Sequence, residues 1–276
     1  MRIILLTGQG LEHIYVANRL AAYVPLNGVV VDQGRYFDTI IRVNKSFRKY
    51  TLYELASRTK AALARLLWRD GYIGKQSMVR TFGPENCREF SRPNLLRHIN
   101  GINTQDGLQV ISALKPDLLL IYGTRLVGSR VLSLARSIAL NMHTGLAPCY
   151  RGADCAFWPI YNQELHMIGA TVHECTNVID GGRIFGRARA ILHPDDDVFS
   201  VFARSVIAGA DLYVSVVRDS LACKLNGTEQ DLSLGREYRA VMRDIAAERR
   251  VRKLIKEGMI RRYVDKHQSK HSSLVP

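Results

Sequence analysis

The chain has 276 residues, 47% hydrophobic and 23% charged, which suits one large domain, or a domain with a small appendage, around a real core. No apolar run reaches the roughly 18–20 residues of a membrane span, and the opening MRIILLTGQGLEH lacks the basic region and cleavage site of a secretory leader. The net charge of +14 is high and suits an anionic partner such as RNA, a nucleotide diphosphate or a polyanionic cofactor; a solvated helix face is the plain alternative. Twelve Lys/Arg against five Asp/Glu fall within residues 236–270. The five cysteines (Cys87, Cys149, Cys155, Cys175, Cys223) are odd in number and form no Cys-x-x-Cys pair. That favours reduced thiols and a cytoplasmic protein over a disulfide frame or zinc knuckle.

In chain order, residues 2–7 form an apolar strand, residues 11–23 carry helical periodicity, and NGVVV at 27–31 is a second strand. This β-α-β opening predicts a parallel sheet with right-handed crossovers. A helix is expected over 51–68, then an irregular surface excursion over 71–92. Residues 104–114 read as a capped helix and DLLLIY at 117–122 as a buried central strand. A short helix at 129–135 leads to a strand at 137–141. Residues 171–174 and 183–190 read as antiparallel edge strands joined by the turn at 179–182. One long amphipathic helix spans 197–222, a polar linker 226–235, and a basic helix 236–258, with fraying from Lys266. The expected division is a catalytic domain at 1–225 and a basic helical extension at 226–276.

Gly8-Gln9-Gly10 after the first strand could hold a phosphate at a helix start, but His13 stands where the dinucleotide fingerprint needs a third glycine. Asp32 as a ribose ligand is no more than suggestive, and a tight turn is the simpler reading. A zinc deaminase needs a Cys-x-x-Cys pair, whereas Cys149 and Cys155 are six apart. Asn141 and His143 differ from these weak signals. At i and i+2 of an extended segment they project to one side, at the strand end where open parallel sheets bind ligands.

Asn141-Met142-His143, Pro148, Tyr150-Arg151-Gly152, Gly169-x-Thr171-x-His173 and Asp180-x-Gly182-x-Ile184 together resemble the formyltransferases that use N10-formyltetrahydrofolate. Gly145 and Ala147 depart from the family's Ser and Leu, and Phe157-Trp158-Pro159 looks most like the members that formylate nucleotide-linked amino sugars. The resemblance implies a Rossmann-like α/β formyltransferase fold, with a mostly parallel sheet, flanking helices and a small helical C-terminal extension. It also implies N10-formyltetrahydrofolate as co-substrate, no metal, and an amine-bearing small molecule, a sugar nucleotide, as acceptor. Glycinamide ribonucleotide and methionyl-tRNA are less favoured acceptors, and folate deformylation is a hydrolytic alternative.

On this reading His143 does general acid–base work or stabilises an oxyanion as imidazolium, Asn141 donates to the oxyanion, and Asp180 orients the ring, holds it charged or relays a proton through water. The resemblance places folate between Arg125-Leu126-Val127 with Leu132 and the 175–180 loop, including Thr176 and Val178. It places Tyr150, Arg151 and Trp158 on the acceptor side, Arg151 for phosphate and Trp158 for stacking; His173 reads as structural. No membrane partner is expected, and the C-terminal helix could serve a homodimer or cap the acceptor cleft. An RNA-binding protein on a retired scaffold is the non-enzymatic rival, against which the intact Asn141/His143/Asp180 set argues.

Overall fold

The computed structural model describes residues 1–34, 63, 67–267 and 274–275. The opening follows the apolar pattern: β1 (Ile3–Thr7), α1 (Leu11–Tyr23) and β2 (Leu26–Asp32). The helix expected over 51–68 lies almost wholly outside the described residues. Residues 71–92, expected to be irregular, are mostly helical: α2 (Asp70–Phe82) is followed by a one-turn helix, Pro84–Cys87. Gly74 and Ser77 are among the residues α2 buries, and Phe199 packs against Gly74 so closely that a Cβ there would stand 2.8 Å from its ring. Its apolar contacts, Met78, Val79 and Phe82, gather in its last turns, while the first turns meet their partner through Gly and Ser, so the segment shows no helix-long apolar stripe.

After β3 (Leu96–Ile99) come α3 (Gln105–Ala113), β4 (Leu118–Tyr122), a one-turn helix Ser129–Leu132, β5 (Ile138–His143) and β6 (Tyr150–Gly152). The one-turn helix Trp158–Tyr161 precedes β7 (Gly169–Glu174), β8 (Ile184–Arg189) and α4 (Val198–Leu221). The main sheet runs β10-β8-β7-β5-β4-β1-β2-β3, where β10 is Leu274–Val275. Pairings from β3 through β5 are parallel, and those among β5, β7, β8 and β10 antiparallel. Strand order reverses beside β1, between β2 and β4, the crevice where such sheets bind ligands.

Alternate strand residues feed two cores. Ile3, Leu5, Leu118, Leu120, Leu140 and Met142 face α1 and α4; Ile4, Leu6, Leu119 and Ile121 face α3. By length and composition α4 could cross a membrane, unlike the runs read from sequence, yet 67% of its apolar window is buried, as in a core helix. Asp197 caps it, accepting from Phe199 N and Ser200 N at 2.8 Å each. From its middle, Tyr213 reaches the β4–β5 ladder, where Ile121 N donates to its hydroxyl (2.8 Å) and the hydroxyl donates to Leu140 O (2.7 Å).

The basic helix expected over 236–258 starts later. Residues Arg236–Tyr238 form β9, which pairs in parallel with β6, and α5 (Ile245–Lys256) begins after an Asp244 cap, followed by α6 (Met259–His267). Pairing with β6 satisfies the backbone of 236–238, so the periodic Tyr238 and Val241 do not extend the helix. Tyr238, Ala247, Val251, Ile260 and Val264 share a cluster with Tyr150, Phe157, Trp158, Ile160 and Leu165. Arg252 binds both carboxylate oxygens of Asp70 (2.6 and 2.7 Å), joining α5 to α2.

Candidate active site

β5 carries Asn141 and His143 to its C-terminal end, and the antiparallel register sets Asn141 opposite His173 of β7. Asp180 reaches the same point from the β7–β8 turn, at φ 47°, a left-handed conformation that Asp tolerates better than most residues. Its Oδ2 lies 3.3 Å from His143 Nδ1 and accepts from Gly152 N at 2.8 Å; its Oδ1 lies 3.3 Å from His173 Nε2. Asn141 Nδ2 donates to His173 Nε2 (3.1 Å) and approaches Asp180 Oδ1 (3.5 Å). His173 Nδ1 donates to Glu174 O (2.8 Å), leaving Nε2 to accept. His143 Nε2 donates to Tyr150 O (3.0 Å). One carboxylate, held by a backbone N–H, therefore stands against two imidazoles and an amide.

Burial opposes charge on Asp180, but His143, His173 and the Gly152 N–H outweigh it and hold the carboxyl well below its ordinary range. Burial pulls the His143 pKa below its ordinary value, against the attraction of Asp180 and the Tyr150 carbonyl. At neutral pH the pair is an ionised carboxylate beside a neutral ring. Should His143 take a proton, both ring nitrogens already face an acceptor. Burial, with Asp180 and Glu174, pushes the Cys175 thiol up to about 12, and Cys155 is likewise raised, first by burial. Neither is a thiolate nucleophile at neutral pH.

This cluster lines a cleft of about 980 Å³. Arg125, Leu126 and Val127 line it, as do Thr176 and Val178, the residues expected on the folate side. Leu132 lies beneath, packed against the α3-side core. Asn103 holds the 125–128 loop: its Nδ2 donates to Leu126 O (2.8 Å) and Gly128 N donates to its Oδ1 (2.7 Å).

Tyr150, Arg151 and Trp158, expected at the acceptor, are buried behind its wall and are not among the described residues lining the cleft. The Tyr150 hydroxyl donates to Glu164, and Arg151 to the carbonyls of Pro148 (3.3 Å) and Leu232 (3.4 Å). Trp158 Nε1 donates to Ala153 O (3.1 Å), and its ring stacks on Tyr238 at 4.9 Å. Apolar contact and satisfied donors draw these side chains inward. The cleft is instead lined on this side by Gly152, Ala153 and Asp154 with Glu237, Tyr238, Arg239 and Ala240. The β6–β9 pairing creates this lining: at Gly152 (φ 90°) a Cβ would strike the Tyr238 carbonyl. Sequence reading also missed Gln230, whose Nε2 donates to Asp180 O (2.9 Å) and to Gly182 O, pinning the carboxylate's loop from the supposed linker.

At the Gly8–Gly10 turn, Glu12 folds its carboxylate back beside Gly10 at the start of α1, a poor place for a phosphate. Asp32 closes its own turn by accepting from Gly34 N (2.9 Å). Among the described residues no three His, Cys, Asp or Glu are placed to hold a metal.

Residues 74–217, just over half of the chain, match the formyl transferase family, and they contain the whole amide–imidazole–carboxylate cluster. The chain belongs to the formyl transferase family. It is 29% identical over 139 residues to the methionyl-tRNA formyltransferase of Chlorobium chlorochromatii (strain CaD3), a match covering 50% of this chain and 44% of that protein. The chain thus matches under half the length of that curated relative. A sugar N-formyltransferase from Shewanella sp FDAARGOS_354 superposes with a TM-score of 0.53 at 14% identity, covering 86% of this chain and 76% of that one. An N-formyltransferase from Helicobacter canadensis, solved with folinic acid and dTDP-3-aminofucose, gives 0.52 at 15% identity, covering 86% and 71%. The architecture is the Rossmann-like formyltransferase fold.

Proposed function

We propose that the protein transfers a formyl group from N10-formyltetrahydrofolate to a primary amine, and that this amine belongs to a nucleotide-linked amino sugar. The observation that carries the reading is the meeting of Asn141, His143 and Asp180 in one cleft. Attack of the amine on the formyl carbon forms a C–N bond and an oxyanion; collapse breaks the bond to N10, which takes up a proton. Asn141 supplies an N–H to the oxyanion: its 3.5 Å contact with Asp180 is long for a hydrogen bond, so that N–H can turn to a stronger acceptor. The proton leaving the amine is taken at His143 Nδ1, where Asp180 compensates the new charge. Cytoplasmic folate chemistry and the absence of a metal from the mechanism belong to the same proposal.

A sugar nucleotide fits the mixed charge of the acceptor wall, with Arg239 beside Glu237 and Asp154, and the superposed sugar N-formyltransferases are in keeping with it. The second reading, an aminoacyl-tRNA acceptor, draws on the methionyl-tRNA formyltransferase relatives and the basic helices α5 and α6. The test offers N10-formyltetrahydrofolate with a panel of amino-sugar nucleotides, glycinamide ribonucleotide and methionyl-tRNA, and follows tetrahydrofolate release. Turnover with an amino-sugar nucleotide is expected. Turnover with methionyl-tRNA alone would replace the acceptor class, and formate release indifferent to added amine would make the protein a hydrolase.

A further inference from the structure

Gly145 stands where the family pattern has serine, and the structure gives that departure a physical content. Its backbone lies outside the left-handed region, so conformation does not demand glycine there. Space does. A Cβ on Gly145 would lie 2.5 Å from His143 Nε2, 2.7 Å from the Tyr150 carbonyl oxygen and 2.6 Å from Cys155 Cβ. The first two atoms are donor and acceptor of the 3.0 Å hydrogen bond between the ring and the backbone. A side chain at 145 would stand on that bond, and its neighbours leave little room: His143, Tyr150 and Cys155 are all buried.

We infer that Gly145 is a positioning residue: by lacking a side chain it lets the Tyr150 carbonyl hold the Nε2–H of His143, which fixes the ring's tautomer and reserves Nδ1, beside Asp180, for proton transfer. A carbonyl and a carboxylate oxygen both only accept, but of the two only the Tyr150 carbonyl meets the ring in hydrogen-bond geometry, and this assigns the neutral ring's hydrogen to Nε2. The proton-accepting nitrogen is then the one 3.3 Å from a carboxylate that stays ionised. Tyr150 thus acts through its backbone, while its side chain serves the cluster behind the wall. A serine at 145 would need the ring or the 150–155 loop to move, and a shift of about 1 Å in a catalytic group can cost around a hundredfold in rate.

The kinetic arm of the test rests on the formyl-transfer reading; the spectroscopic arm does not. Nitrogen-15 histidine spectra of the wild-type protein, with His143→Ala identifying the resonance, should show His143 as the Nε2–H tautomer near neutral pH. In Gly145→Ser and Gly145→Ala this signature should shift toward mixed tautomers. With the acceptor found in the panel, kcat should fall at least about tenfold while KM for the formyl donor stays within about threefold. A wild-type Nδ1–H tautomer would overturn the inference, as would Gly145→Ser retaining both the wild-type spectrum and kcat. If the variants do not fold, the wild-type tautomer decides alone, and if no amine is turned over the spectra still decide.

Discussion

The floor and the acceptor wall of the cleft are built in opposite ways. The floor is local: Asn141 and His143 sit two residues apart on β5, His173 lies opposite on β7, and Asp180 follows within the next turn. The wall is assembled from segments over eighty residues apart, because Tyr150–Gly152 finds its partner in Arg236–Tyr238. Chemistry that must be held to a fraction of an ångström is placed on a short antiparallel pair with little chain between its members. The side of the cleft beside it is closed by a distant segment, and the two are coupled, since Gly152 N donates to Asp180 and Gln230 holds the carboxylate's loop.

Removing the floor's charged groups should give the largest effect. His143→Ala and Asp180→Ala are each expected to lower kcat at least about a hundredfold, in keeping with general acid–base contributions, while circular dichroism shows the fold retained. Near-normal turnover in either variant would separate the cluster from the reaction. On the wall, Glu237→Ala and Arg239→Ala should raise KM for the acceptor about five- to tenfold and leave KM for the formyl donor unchanged, since rim charges contribute on the order of 1 kcal/mol. An equal rise in both constants would mean that the wall does not discriminate.

Tyr213→Phe tests the support beneath the floor. It leaves Ile121 N–H and Leu140 C=O without the hydroxyl between β4 and β5, and urea unfolding should show a loss of about 1–3 kcal/mol. The smallest effect is on pH dependence. Burial lowers the His143 pKa, so kcat/KM should hold below the ordinary histidine midpoint of about 6.5 before its acid limb begins. The sign for stability is the same for both groups. Between the lowered His143 pKa and the ordinary value the unfolded chain binds the proton that the folded chain refuses, and Asp180 repeats this in the carboxylate range. The urea midpoint should therefore fall as pH drops from 7 toward 4; a flat profile would mean that neither group resists protonation in the fold.

Much of the fold could be read from residue order. The β-α-β opening, DLLLIY, the strand read at 137–141 and the long helix ending near residue 222 were legible because each is an apolar segment whose pattern states its own partner face. The helix at 70–82 was not, because it meets α4 through Gly74 and Ser77. Strand β9 was not, because the three residues Arg-Glu-Tyr carry no strand signal until β6 is beside them. Within the site the motif residues fell together as expected for the floor, whereas Tyr150, Arg151 and Trp158 turned inward. Aromatic character and positive charge suggest ligand contact equally well when the side chain is buried among Tyr238, Pro148 and Leu232.

By itself the sequence singled out the candidate chemical groups, since an amide, an imidazole and a carboxylate in this motif pattern have few other reasons to coincide. Only the tertiary structure decided which atoms of those groups face one another, that His143 presents Nε2 to a carbonyl across Gly145, and that Glu237 to Ala240 line the cleft. The physical reason is range. Side-chain identity and backbone periodicity are properties of neighbours in sequence, whereas a tautomer, a pKa and a binding wall depend on which distant carbonyl or strand closes the gap.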